Sequence, residues 1–282
     1  MKKAVQQLML GKVIRNEEQT ADVLEKIAFA GYDGVELNGY MIRKTSVFVR
    51  ALTAAAGMPA GRGGAFDWAA LTRGAHLSVM GLHEDLGTLK KDPDAVIRTA
   101  KSLGTNRIIL TGLYRFDYSD PAAMRDLCRD LNRLGTLLSL DRIELLYHNH
   151  NVELCRLRDS GERAYAYLVR NTDPTALNFE FDSYWFADGG ADVAAWMERL
   201  GSRMRCWHIN DRGARLKRTP LTPIVREDST ELGYGNLPLE RWAGIAKANG
   251  TDTVVLETHR NHIDGDPLKS LQRSAAFLNR TF

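Results

Sequence analysis

The sequence predicts an α/β fold, a single (β/α)8 barrel of the TIM type with residues 1–282 as one domain, and three observations predict it. Short apolar runs alternate with stretches of helical spacing from one end of the chain to the other. The alternation repeats eight times, and strands alternating with helices form a parallel sheet that closes at eight. No linker or shift of composition divides the 282 residues, a length usual for one such barrel.

The elements follow in order. Residues 5–10 give a first strand. Residues 17–30 have helical spacing, with Val23, Leu24, Ile27 and Ala28 on one face and Gly31 as the C-cap. Residues 34–37 give a second strand and 47–56 a second helix, stopped by Gly57 with Pro59 beyond. Residues 58–67 carry Gly61, Gly63 and Gly64 and read as a loop; they lack the Lys-Ser/Thr of a phosphate-cradling loop, so no nucleotide role is assigned. Residues 68–73 suggest an extra helix, and 77–82 a third strand that runs into His83-Glu84-Asp85. Then come a helix at 94–103, a strand at Arg107–Leu110, a helix at 121–138 and a strand ending at His148. A helix at 164–169 precedes a strand at Leu177–Asp182, a helix at Val193–Leu200 and a strand at Met204–Ile209. A helix at Leu239–Ala248, a strand at Thr253–Leu256 and a helix at 267–278 close the chain. The long irregular segment 211–237 separates the seventh strand from its helix, and loops of that length in a compact domain are usually functional.

Composition narrows the function classes. The chain is 44% hydrophobic and 26% charged, as ordinary globular proteins are. A net charge of +3 is too mild for a nucleic-acid or membrane partner. Cys128, Cys155 and Cys206 are odd in number, far apart and without a Cys-x-x-Cys, which suits a reducing compartment. The first residues offer two lysines but only a short apolar run interrupted by Gln6 and Gln7, unlike a signal peptide. No stretch approaches eighteen consecutive apolar residues. The expectation is a cytoplasmic protein with a small-molecule partner, free to form a homo-oligomer.

Chemistry gathers at the strand ends. Period-two alternation puts His148 and His150 on one face of the fifth strand. Alone, they could be satisfied core histidines, since buried polar groups must be hydrogen-bonded, paired or metal-bound. The next three strands end in Asp182, in His208 and Asn210, and in Glu257 followed by His259, while strands two and three add Glu36 and His83. Active sites of such barrels lie at the C-terminal strand ends, and imidazoles and carboxylates converging there suit a divalent ion. Glu180 shares a face with Asp182 and reads as a deeper, structural partner. Arg215, Lys217 and Arg218 read as a solvated charge run.

Six stretches carry a resemblance that covers nearly the whole chain: Gly31-Tyr32-Asp33-Gly34-Val35-Glu36, Tyr147-His148-Asn149-His150, Phe181-Asp182, His208-Ile209-Asn210-Asp211, Glu231-Leu232-Gly233-Tyr234-Gly235 and Leu256-Glu257. They resemble the sugar isomerase/epimerase superfamily of xylose-isomerase-like TIM barrels, often called sugar phosphate isomerase/epimerases. In its ketose 3-epimerases one divalent ion is held by Glu, Asp, His and Glu from strands five to eight. The resemblance therefore implies Asp182, His208 and Glu257 as metal ligands. His148 stands where those epimerases have a glutamate, and His150, on the same face, is its substitute as ligand.

That departure bears on the reaction. The resemblance implies an isomerase or epimerase of carbohydrate metabolism that removes a proton next to a sugar carbonyl, the ion stabilising the enediolate. The epimerases use two metal-bound glutamates, one on each face of the carbon. Here only Glu257 matches, so His150 or Glu153 serves the other face, or the reaction needs one base. Isomerisation, dehydration or β-elimination beside a ketone, as in a keto-sugar or 3-keto-glycoside, each fits a single base better than two-base epimerisation does. Two imidazoles favour Mn, Zn or Co over Mg. Trp185 is placed to stack on a sugar, Arg212 to grip a substrate oxygen or phosphate, and His83 and Glu36 to line the same rim. An apurinic-site endonuclease, built on the same fold with three metals, needs more ligands and a basic DNA face than seven histidines and a charge of +3 supply. A sugar-binding barrel without catalysis is opposed by four intact ligand positions.

Overall fold

In the computed structural model, which describes residues 1–43, 66–216, 219 and 221–282, the expected alternation is realised as a closed barrel. The helix expected at 47–56, most of the glycine-rich loop after it, and Lys217 and Arg218 lie outside the described residues. The barrel strands are β1 (Lys2–Gln6), β2 (Gly34–Asn38), β3 (Ser78–Glu84), β4 (Arg107–Leu110), β5 (Glu144–His148), β6 (Leu177–Asp182), β7 (Met204–Ile209) and β8 (Thr253–Leu256). Each lies beside its neighbours in sequence, and β1 pairs with β8 to close the ring. The register sets Gln6 against Glu36 and His148 against Glu180. The chain divides into two compact units, Met1–Val79 with His208–Gly244 and Thr253–Phe282 in one, and Met80–Trp207 with Ile245–Asp252 in the other.

Four strands, β4, β6, β7 and β8, and the helices Val193–Leu200 and Leu239–Ala248 have the bounds that the sequence predicts. The first strand does not. It ends at Gln6, and Gln7–Leu10 form a 3-10 turn in place of further strand. The Gln6 side chain accepts from Leu8 N at 3.3 Å, and Gln7 Oε1 accepts from Asn38 N at 2.7 Å. Both amides thus divert the backbone from the ladder. The third strand runs two residues further than expected and takes in His83 and Glu84. Segment 211–237 contains a ribbon, with Asp211–Gly213 antiparallel to Asp228–Thr230. Asp211 ties down its return, accepting from the N–H groups of Gly233 and Gly235 at 2.9 Å and of Leu237 at 3.2 Å.

Three helices start on an aspartate cap followed by proline: Pro93–Ser102, Pro121–Ser139 and Pro267–Thr281, capped by Asp92, Asp120 and Asp266. The carboxylate takes an orphan N–H, and proline at the first helical position gives up none that is needed. Gly135 of the second helix lies directly on the chain entering β6; a Cβ there would stand 1.9 Å from the Ala176 carbonyl oxygen. Behind that strand, Tyr165 packs against Phe179, Phe186 and Trp196 with ring centroids 4.8–5.6 Å apart. Fully burying each such ring contributes about 1.5–3 kcal/mol. At the start of β4, Arg107 reaches Glu144 at 3.2 Å and Asp252 at 2.8 and 2.5 Å, so the charges there are paired. No helix among the described residues is long and apolar enough to cross a membrane.

Candidate functional site

In one unit the site begins with His148, the last residue of β5. Its Nδ1 lies 2.9 Å from Glu180 Oε2, and His83 Nε2 lies 3.3 Å from the same oxygen. Glu180 is wholly buried and both rings nearly so. An ionised Glu180 accepts from both rings, which puts the His148 proton on Nδ1 and leaves Nε2 with a lone pair. That Nε2 stands 4.0 Å from Asp182 Oδ2. Such a gap is too long for a hydrogen bond.

Asp182 is fixed from three sides. It ends β6 and caps the helix Ser183–Asp188, its Oδ1 accepting from Trp185 N at 3.0 Å. The Asn149 side chain both donates to its carbonyl and accepts from its N–H, each at 3.0 Å. The His150 ring stands 5.0 Å from that of His148 and 6.0 Å from Trp185. Glu153 has other company. Its Oε1 accepts from the Tyr147 hydroxyl at 2.8 Å and its Oε2 from His150 N at 2.9 Å. Burial raises its pKa, and the hydrogen bonds it accepts oppose that rise.

In the other unit His208 has a carboxylate oxygen at each ring nitrogen. Nε2 lies 2.8 Å from Glu36 Oε2, and Nδ1 lies 3.0 Å from Glu257 Oε2, with all three residues buried. Behind Glu36, Gln6 Nε2 donates to Oε2 at 3.4 Å, and Asn38 donates to Gln6 Oε1 at 2.6 Å. Glu36, expected at the rim, thus sits on the far nitrogen of His208, where an ionised carboxylate fixes the proton on Nε2. Two residues beyond Glu257, burial pushes the His259 pKa below the ordinary histidine value.

The Arg212 guanidinium lies 3.9 Å from Glu227. Arg215, expected in a solvated charge run, is a half-buried strut: it pairs with Glu231 and donates to the Asn261 carbonyl at 2.9 Å. Glu231 also accepts from Ser270 at 2.6 Å, which joins the Glu-Leu-Gly-Tyr-Gly stretch to the last helix.

Buried imidazoles and carboxylates thus gather in each unit, His148 and Asp182 in one and His208 with Glu257 in the other, and groups of this composition can hold a metal. Glu180 and Glu36 are the carboxylates that orient His148 and His208 within their own units. Sequence reasoning missed Gln6, Asn38 and Asn149. Gln6 and Asn38 are the last residues of β1 and β2, and Asn149 directly follows β5, so their signal is a buried polar residue at a strand's C-terminal end.

The chain matches a family described as xylose isomerase-like TIM barrel over residues 24–281. An inosose dehydratase of Mesomycoplasma hyopneumoniae (strain 7448) is 31% identical over 163 residues, 54% of this chain and 53% of that protein, so the match spans about half the relative's length. A sugar phosphate isomerase/epimerase from Parabacteroides distasonis ATCC 8503 superposes with a TM-score of 0.75 at 20% identity, covering 98% of this chain and 93% of that one. The IOLI protein, solved with a zinc atom, gives 0.69 at 14% identity, covering 100% and 98%. The two solved structures show a shared fold. Together with the closed parallel barrel, the family match over nearly the whole chain makes this protein a member of the xylose isomerase-like TIM barrel family.

Proposed function

We propose that the protein is a divalent-metal-dependent isomerase or epimerase that removes a proton next to a sugar carbonyl. The observation that carries this reading is the pair of buried histidines, each with one ring nitrogen against a buried carboxylate: His148 on Glu180 and His208 on Glu36. That arrangement orients imidazoles for coordination and raises their basicity. His148, Asp182, His208 and Glu257 would hold the ion, and Mn, Zn or Co suits two imidazoles better than Mg. When bound, the ion would supply polarisation of a carbonyl and charge stabilisation for an enediolate.

The rest falls to this chain's own groups. Glu257 takes the proton from carbon, and His150 serves as the second acid–base group. Trp185 and Arg212 are the proposed substrate contacts. The proposed partner is a small sugar derivative, with neither nucleic acid nor membrane required. The three cysteines are free thiols, which suits a cytoplasmic setting.

A second reading, a lyase that dehydrates a keto-sugar or related polyol ketone, has specific support. His148 replaces the second carboxylate of a two-base epimerase, and the curated match is to an inosose dehydratase. Loss of water needs one base at carbon and one acid for the departing hydroxyl. Incubation in D2O with ketoses, keto-inositols and 3-keto-glycosides separates the two. Deuterium beside the carbonyl of an isomeric product supports isomerase or epimerase, and loss of water supports dehydratase. Glu257→Gln should lower either rate by at least ~100-fold. If no substrate exchanges or loses water, while chelator-sensitive nicking of abasic DNA appears, both readings fall.

A further inference from the structure

A buried chain of hydrogen bonds runs behind the β5 end. Leu113 N donates to the Tyr118 hydroxyl oxygen at 3.3 Å, and the Tyr118 and Tyr147 hydroxyls lie 2.9 Å apart. Tyr147 donates its one proton to Glu153 Oε1 at 2.8 Å, so Tyr118 must donate to Tyr147. The other Glu153 oxygen accepts from the His150 backbone N–H at 2.9 Å. Every proton in the chain points toward one carboxylate, and both of its oxygens are used. Tyr118, Tyr147 and Glu153 are each no more than 2% exposed. The chain thereby ties the loop leaving β4 to the loop leaving β5, and it pins the backbone of His150.

The His150 ring meets a second constraint at the end of β4. A Cβ on Gly112 would lie 2.9 Å from His150 Nδ1 and 3.1 Å from Cε1. The ring therefore rests where only a glycine leaves room, with the Trp185 ring 6.0 Å away. A backbone pin on one side and a bare glycine on the other define where this imidazole stands.

We propose that Glu153, held by the Tyr118–Tyr147 chain of donors, is a positioning residue whose task is to hold the His150 imidazole in place. This rests on the reading of His150 as an acid–base group, and it removes Glu153 from the candidates for direct proton transfer.

The test uses full-length protein loaded with zinc and labelled with 15N-histidine. His150 ring signals are identified by their loss in His150→Ala. Glu153→Gln, Tyr147→Phe and Gly112→Ala should each shift or broaden those signals. Tyr118→Phe, one link further away and nearly isosteric, should do so more weakly, and it keeps the test informative where Glu153→Gln fails to fold. On the ketone that turns over in the D2O panel, Tyr147→Phe should lower kcat about tenfold with KM within twofold. In a His150→Ala background the same substitution should cost nothing further. Unchanged ring signals in Tyr147→Phe and Tyr118→Phe, with only a lower Tm, overturn the proposal, as do additive losses in the double variant. If His150→Ala itself leaves turnover intact, the acid–base reading fails, while the ring signals still decide whether Glu153 positions the residue.

Discussion

Tautomers decide what the buried histidines can do. Glu36 on Nε2 of His208 leaves Nδ1 toward Glu257, and Glu180 on Nδ1 of His148 leaves Nε2 toward Asp182. Glu36→Gln can present an amide N–H to Nε2, which moves the ring proton to Nδ1 and spoils the donor. Its affinity for zinc should fall about 10–100-fold in a competitive chelator titration, since removing such partners typically costs that much. Asp182→Asn should also lose zinc, yet hold its Tm, because asparagine caps a helix as well as aspartate does. Retention of stoichiometric zinc by Asp182→Asn would remove it from the ligand set. The kinds of residue in this site were legible in the sequence, because imidazoles and carboxylates at strand ends stand out against apolar strands. Their pairing was not. Glu36 and His208 are 172 positions apart, and no local pattern says which nitrogen a distant carboxylate will face. Glu153 was read as an alternative to His150 for the second acid–base group, and its contacts with the Tyr147 hydroxyl and the His150 N–H carry no sequence signal.

Among the elements, legibility followed length and punctuation. Strands β4, β6, β7 and β8 each follow a turn rich in Gly, Pro, Ser, Asn or Asp; β4 and β8 are short, mostly apolar runs and β6 alternates, so their limits could be read directly. The β1 error arose because Leu8, Met9 and Leu10 prolong the apolar run, while two glutamine side chains bend the backbone. The ribbon in 211–237 was invisible because three-residue strands carry no usable period. Packing adds constraints that no pattern reveals. Gly135 looks like an ordinary flaw in the helix Pro121–Ser139, yet its missing side chain lets that helix lie on the Ala176 carbonyl. Gly135→Ala would normally strengthen a helix by about 1 kcal/mol. Here it should destabilise the fold by about 1–3 kcal/mol through overpacking, seen as a lower midpoint in urea. A raised midpoint would show that the helix can shift freely.

For the whole molecule, the eightfold alternation predicted the closed barrel, and it is there. The two compact units are interleaved in sequence, one built from three stretches of chain and the other from two. We expect them to unfold together as one domain. Far-ultraviolet circular dichroism and tryptophan fluorescence should then give coincident urea transitions, with Trp68 and Trp242 reporting on one unit and Trp185, Trp196 and Trp207 on the other. Two separated transitions would assign the chain two domains.

The cap on the short helix after β6 has an optical consequence. Trp185 N donates to one oxygen of Asp182, while the other faces His148. A cation settling on that carboxylate changes the electric field one helical turn from an indole. The protein thus carries its own emitter beside the carboxylate, and occupancy can be followed by the colour and intensity of that emission, without any added dye.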